Sequence, residues 1–222
     1  TVWKSQGDGE KRKYDFSYDA ASRLMKADFN QYTSGSFNKS AGVDFSVKMG
    51  DGATASTAYD ANGNIKRMQQ WGLKATSSSQ IDDLTYNYMN SGSSNKLLNV
   101  SDALNDNQTK LGDFRVSALN PVQTKTTTTV DYTYDANGNL VKDLNKDLVT
   151  YSGASGIQYN YLNLPQVITV KKDATSNKGT ITYSYDAAGN KLKKVAVDNS
   201  VTGKTITTTT TYIAGFVYES RV

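Results

Sequence analysis

The side chains that carry out most enzyme chemistry are missing from this sequence. It contains no histidine and no cysteine. Neither a Ser-His-Asp nor a Cys-His nucleophile can be assembled, and disulfides and thiolate metal sites are excluded with them. Paired carboxylates remain as a route to hydrolysis. Glu, however, stands only at Glu10 and Glu219, and Asp60, Asp135 and Asp186 sit where a turn accounts for them. Asp60, Asn62 and Asn64, and again Asp135, Asn137 and Asn139, place oxygens at alternate positions, like the opening of a calcium loop. An EF-hand loop needs Gly at its sixth position and Glu at its twelfth; here those places hold Ile65 and Trp71, or Leu140 and Lys146. No phosphate-binding glycine loop is present. Catalysis, a metal and a cofactor are therefore not expected. Trp3 and Trp71 are the only tryptophans. Packing is the commoner fate of such rings, but among Asn and Asp they are also candidate glycan contacts.

The elements that would position these residues are strands. The apolar share is low at 37%, aromatics reach 10%, mostly Tyr, and the net charge is only +4. That mixture suits sheets with polar faces better than disorder or helices. The short clusters Lys11-Arg12-Lys13, Lys171-Lys172 and Lys191-Leu192-Lys193-Lys194 read as solvated faces and edge-strand lysines. No motif turns them into a nucleic-acid surface. No stretch approaches the roughly 20 apolar residues of a membrane-spanning helix, so membrane insertion is not expected. No signal peptide is visible, and Thr1 is not a natural translation start, so the sequence reads as a piece of a longer chain.

Self-similarity is the strongest signal. Six segments begin at Tyr18 (YDAASRL), Tyr59 (YDANGNI), Tyr88 (YMNSGSSNKLL), Tyr134 (YDANGNL), Tyr161 (YLNLPQV) and Tyr185 (YDAAGNKL). Asp follows Tyr at Asp19, Asp60, Asp135 and Asp186. Four places after Tyr stands a turn-type residue: Ser22, Gly63, Gly92, Gly138, Pro165 or Gly189. Six places after it the residue is apolar at Leu24, Ile65, Leu140 and Val167. Lys191 breaks that rule, and the third copy carries an insertion before Leu97. Thr126 to Tyr134 and Thr180 to Tyr185 alternate with period two, as half-buried strands do.

Each segment therefore predicts a β-hairpin. Asp135 to Gly138 forms a type I turn with Gly138 left-handed, Asp135 accepts backbone hydrogen bonds, and Tyr134 pairs with Leu140. Ser22 must take a strained φ or turn differently. Pro165 cannot take positive φ, so its hairpin is expected to turn differently and to lie at an edge. The Thr tracts Thr124–Thr129 and Thr205–Thr211 are expected to be strands. The predicted fold is all-β: tandem antiparallel hairpins in one curved, partly open sheet over 1–222. The repeats lie near 14–30, 55–70, 84–102, 126–145, 157–171 and 179–197, and no internal boundary is drawn.

Taken together, the YDxxGN and YDxxGR patterns resemble the YD repeats of RHS-family proteins. Longer phrases, IDDLTYNY from Ile81, DYTYDANGNLVKDLN from Asp131 and GTITYSYDAAGNKLKK from Gly179, are similar to the repeat regions of Bacteroidetes-type members. The closing YIAGFVYE from Tyr212 resembles the passage from repeats into the family's core. The resemblance implies a structural role. The hairpins would form a strip that spirals into a secreted or cell-surface shell around a C-terminal toxin domain, or an adhesion barrel in animal relatives. It also implies that the core, with its self-cleaving aspartyl residues, lies beyond Val222. The partner would be the rest of the same polypeptide, with a glycan or cell-surface partner as the alternative. Unpaired end strands would favour edge-to-edge self-association.

Overall fold

The computed structural model describes residues 1–104, 114–121 and 125–222. The chain divides into two compact units, Thr1–Arg115 with Val122–Thr129, and Val116–Pro121 with Val130–Val222.

The first unit contains β1 (Val2–Lys4), β2 (Lys11–Tyr18), β3 (Leu24–Thr33), β4 (Ser36–Asn38), β5 (Val47–Met49), β6 (Arg67–Lys74), β7 (Ser77–Tyr88) and β8 (Leu97–Asp102). They form one antiparallel sheet in the order β1-β2-β3-β5-β6-β7-β8, with β4 also on β3. Alternation decides which face of β3 is buried. Met25, Ala27 and Phe29 point into the core, while Lys26 and Asp28 take the opposite face. Met25, Met49 and Ala58 form the centre, with Val47, Tyr59, Ile65 and Met68 packed around it. Ala58 ends a single helical turn, α1 (Ala55–Ala58). Gly50 must be glycine there: its φ is +56°, and a Cβ would lie 2.5 Å from the Ala58 nitrogen.

The second unit contains a two-stranded ladder, β9 (Tyr132–Tyr134) with β10 (Leu140–Asp143), and a six-stranded meander. The meander runs β11 (Ile157–Tyr159), β12 (Pro165–Lys171), β13 (Asn177–Tyr185), β14 (Lys191–Asp198), β15 (Ile206–Ile213) and β16 (Phe216–Arg221). Among its described residues the buried hydrophobic side chains are few: Tyr132, Val149 and Ile157. Polar groups fill the rest. Asp131 is 1% exposed and accepts from the side-chain amides of Asn120 and Asn145, both at 3.2 Å. Asn145 also donates to the Tyr132 hydroxyl at 3.0 Å. Burial is the main cause pushing that phenol up to about 12.

The all-β, antiparallel hairpin architecture is as expected. Among the described residues the strands lie in three sheets, none closed into a barrel, where a single continuous sheet was anticipated. The ladder is interrupted after β10 because Asp143 to Ser155 is spent on turns and isolated bridges. The Thr124–Thr129 strand is corrected over its described part. Thr126 to Thr129 is a turn in which Thr129 N–H donates to Thr126 O at 3.1 Å, and the threonine hydroxyls accept from the turn's own amides. Side-chain-to-backbone bonding outcompetes strand propensity. Asn99, fully buried, secures this turn by donating to the carbonyls of Thr126 and Thr129. Thr124 itself lies outside the described residues. The second tract does form a strand, from Ile206 onward.

Candidate functional site

The recurring feature is a turn whose Asp organises its own backbone. Asp60 Oδ1 accepts from the N–H groups of Asn62 and Asn64, at 2.9 and 2.8 Å, and Oδ2 from the Asn64 side chain at 2.8 Å. Asp186 repeats this with Ala188, Asn190 and the Asn190 side chain. Asp135 does so with the N–H and side-chain amide of Asn139. In the first copy Arg23 replaces the asparagine. Its Nε closes Asp19 Oδ2 at 2.7 Å, and its guanidinium lies 4.5 Å from the centre of the Tyr59 ring. Gly63, Gly138 and Gly189 each donate to the carbonyl of the turn's Asp and hold φ of +85°, +89° and +86°. Ser22 takes the same conformation at φ +60°.

These carboxylates are held below their ordinary range. At Asp135 and Asp186 the largest cause is the hydrogen bond from the asparagine side chain, and at Asp19 the Arg23 backbone amide. At Asp60 burial opposes ionisation, and the Asn64 bonds outweigh it. Both oxygens of Asp60 and Asp186 are occupied by their own turns, so neither presents a calcium loop. Among the described residues no group of three or more His, Cys, Asp or Glu could hold a metal ion.

The fifth hairpin is a change of register from the sequence reading. It is built on Tyr159 and Asn160, two residues before Tyr161. Asn160 Oδ1 accepts from the N–H groups of Leu162 and Leu164, as Asp does elsewhere. Asn163 takes the left-handed position at φ +58°, and Tyr159 pairs with Pro165. Pro165 therefore uses the common turn. It opens β12, an interior strand, at a first position where a missing N–H is tolerated. Tyr161 stands free at the tip, 83% exposed. With this correction the tyrosine pairings are Tyr18–Leu24, Tyr59–Ile65, Tyr88–Leu97, Tyr134–Leu140, Tyr159–Pro165 and Tyr185–Lys191. The third is longer because Asn90, Ser91 and Gly92 all hold positive φ in an enlarged turn.

The sequence reading missed how one hairpin is tied to the next. The Tyr59 hydroxyl donates to Leu24 O at 2.6 Å, and Tyr88 to Ile65 O at 2.9 Å. In the second unit Tyr159 donates to Leu140 O at 2.9 Å, and Tyr185 to Pro165 O at 2.8 Å. In every case the acceptor is the residue paired with the tyrosine of the preceding hairpin. Asparagines add a second tie between turns. Asn163 Oδ1 accepts from the side chains of Asn137 and Asn139, and Asn95 Oδ1 from Asn64. The repeated tyrosine thus does what phenylalanine cannot, which is the one signal the sequence carried for this contact.

The two tryptophans each contact a neighbour and keep part of their surface exposed. Trp3 stacks on Tyr14, with ring centres 5.7 Å apart, and abuts Phe29. Trp71 lies under the Lys48 ammonium, 5.8 Å from the ring centre. Among the described residues no helix is long and apolar enough to cross a membrane.

No protein-family model matches the chain, and no curated protein does. Among solved structures it is similar to the crystal structure of TcdB2-TccC3-TEV. The TM-score is 0.31 and the sequence identity 14%, covering 98% of this chain and 13% of that one.

Proposed function

We propose that this chain is a length of structural wall in a longer, secreted or cell-surface bacterial protein of the YD-repeat (RHS) kind, and that the wall encloses a C-terminal toxin domain. The observation that supports this best is the tyrosine tie that joins a hairpin to the one before it, seen twice in each unit. The motif that repeats in sequence is spent on structure: its Asp carboxylates close their own turns, and its Tyr hydroxyls join neighbouring hairpins. In this reading the segment turns over no substrate and takes no cofactor. Neither nucleic acid nor a bilayer is its partner; the partner is the rest of its own polypeptide. β16 ends the six-stranded sheet with Phe216, Val217 and Tyr218 exposed, so the isolated segment is expected to associate edge to edge.

The test is protease protection in the full-length product that contains these residues. The C-terminal domain should resist digestion in the parent. It should become sensitive when Tyr59, Tyr88, Tyr159 and Tyr185 are all changed to Phe. Digestion at equal rates in parent and variant would refute the wall reading.

A further inference from the structure

The pentapeptide Asp-Ala-Asn-Gly-Asn occurs twice, at 60–64 and at 135–139, and it holds the only two Asn-Gly pairs in the sequence. At Asn-Gly a backbone can react with its own side chain. The glycine nitrogen gives up its proton to solvent and attacks the asparagine Cγ. A succinimide ring closes and ammonia leaves. Water then adds to either ring carbonyl and breaks its bond to the ring nitrogen. The product is aspartate, or isoaspartate, in which the main chain runs through the side-chain methylene. Glycine favours the attack because no Cβ crowds its nitrogen. The balance is one water in and one ammonia out, so the reaction needs neither enzyme nor cofactor.

The two turns are alike at the nucleophile. Gly63 N–H donates to Asp60 O at 3.1 Å and Gly138 N–H to Asp135 O at 3.0 Å, with φ of +85° and +89°. They differ at the side-chain amide. Asn137 Nδ2 donates to Asn163 Oδ1 at 2.8 Å, which fixes the side chain against the turn of the next hairpin. Asn62 is exposed, and its side chain makes no hydrogen bond to another described residue. The cause lies in the third hairpin. Its turn is enlarged at Asn90, Ser91 and Gly92. The acceptor there is Asn95, whose Oδ1 takes Asn64 and not Asn62. In the fifth hairpin Asn163 holds the left-handed place of a regular turn, and its Oδ1 takes both Asn137 and Asn139. Asn137 must release that bond before its Cγ can swing to the Gly138 nitrogen.

We propose that Asn62 is a site of spontaneous succinimide formation and deamidation in the folded chain, and that Asn163 protects Asn137 from the same reaction. This goes beyond the wall reading and does not depend on it. Isoaspartate at position 62 inserts a methylene into the main chain of the turn. The Gly63-to-Asp60 bond and the Asn64-to-Asn95 tie then loosen as the protein ages. The whole chain would be held at mildly alkaline pH, sampled over time and digested. Fragment mass spectrometry would report aspartate and isoaspartate at each asparagine. Asn62 should convert first, and Asn137 should lag about two- to tenfold, the range an ordinary net hydrogen bond supplies. Asn163→Gly keeps a left-handed residue in the turn and removes the acceptor. It should bring Asn137 up to the rate of Asn62 and leave Asn62 unchanged. In urea the parent's two sites, identical from Tyr to the second Asn, should convert at equal rates. Four results would each overturn the proposal: Asn62 converting no faster than Asn64, Asn137 keeping pace with Asn62 in the folded parent, a difference that survives in urea, or one that survives Asn163→Gly.

Discussion

Replacing Tyr159 with Phe removes one oxygen and leaves the ring. The lost bond is the 2.9 Å donation to Leu140 O. A neutral intramolecular hydrogen bond contributes about 0.5–1.5 kcal/mol net. Leu140 is only partly buried, so water can reach its carbonyl, and the desolvation penalty of a sealed orphan does not apply in full. A loss of about 1 kcal/mol is expected, which lowers the melting temperature by roughly 4–8 °C in a cooperative unit of this size. Adding Tyr185→Phe should roughly double the loss, since that bond lies on a different carbonyl, Pro165 O. Tyr161→Phe is the control: the same chemical change two residues away, on a side chain 83% exposed. Calorimetry gives the melting temperatures, and amide hydrogen exchange shows whether the opened region includes β9 to β12. If Tyr159→Phe melts with Tyr161→Phe, the hydroxyls do not hold the hairpins together and the reasoning fails.

Further expectations follow from the turns and their ionisation. Gly189→Val, at φ +86° with Leu164 Cδ1 3.2 Å from the position of a Cβ, should destabilise by about 1–2 kcal/mol or more. Ser22→Gly, at φ +60°, should raise the melting temperature; thermal melts of both variants check the left-handed assignments. The carboxylates of Asp19, Asp60, Asp135 and Asp186 titrate lower folded than unfolded, so their stabilisation is present above the ordinary aspartate range, about pH 4, and is lost as pH falls below it. Partial burial raises the phenols of Tyr59, Tyr159 and Tyr185 above the ordinary tyrosine range, so their contribution is complete below about pH 10 and disappears as pH rises past it. Urea melts across both ranges should show the two declines, and the Phe variants should flatten the alkaline one. Asp143 has the opposite sign to the turn aspartates. Burial raises its carboxyl, so its charge weakens the fold at neutral pH. Asp143→Asn keeps an acceptor for the N–H groups of Asn145 and Lys146. It should melt higher than the parent at pH 7, with the gain vanishing below about pH 4.

The hairpin turns were legible because their signals are local. Asp before a left-handed glycine, with an apolar residue six places after Tyr, encodes its own register, as at Tyr134 and Leu140. The fifth copy misled because Asn160 does the work of Asp and Asn163 that of Gly. The more familiar-looking Tyr161 and Pro165 then drew the alignment two places along. The Thr126–Thr129 turn was hidden because strand propensity is weaker than a hydroxyl's bond to a nearby amide. The division into three sheets depends on how loops are used, which periodicity does not record. The tyrosine ties were half legible: the repeated tyrosine marks the donor, but the acceptors are backbone carbonyls, which every residue owns, so no side-chain identity marks the other end.

Every one of those ties points the same way along the chain. The hydroxyl always comes from the later hairpin and the carbonyl from the earlier one, across 35, 23, 19 and 20 residues. Such spans are short, and closing them costs little chain entropy. A polypeptide emerging from a ribosome or an export pore can therefore latch each hairpin as soon as the following tyrosine arrives, as a ratchet advances one tooth at a time. Assembly then keeps pace with delivery, and only the newest hairpin at any moment is left unfastened.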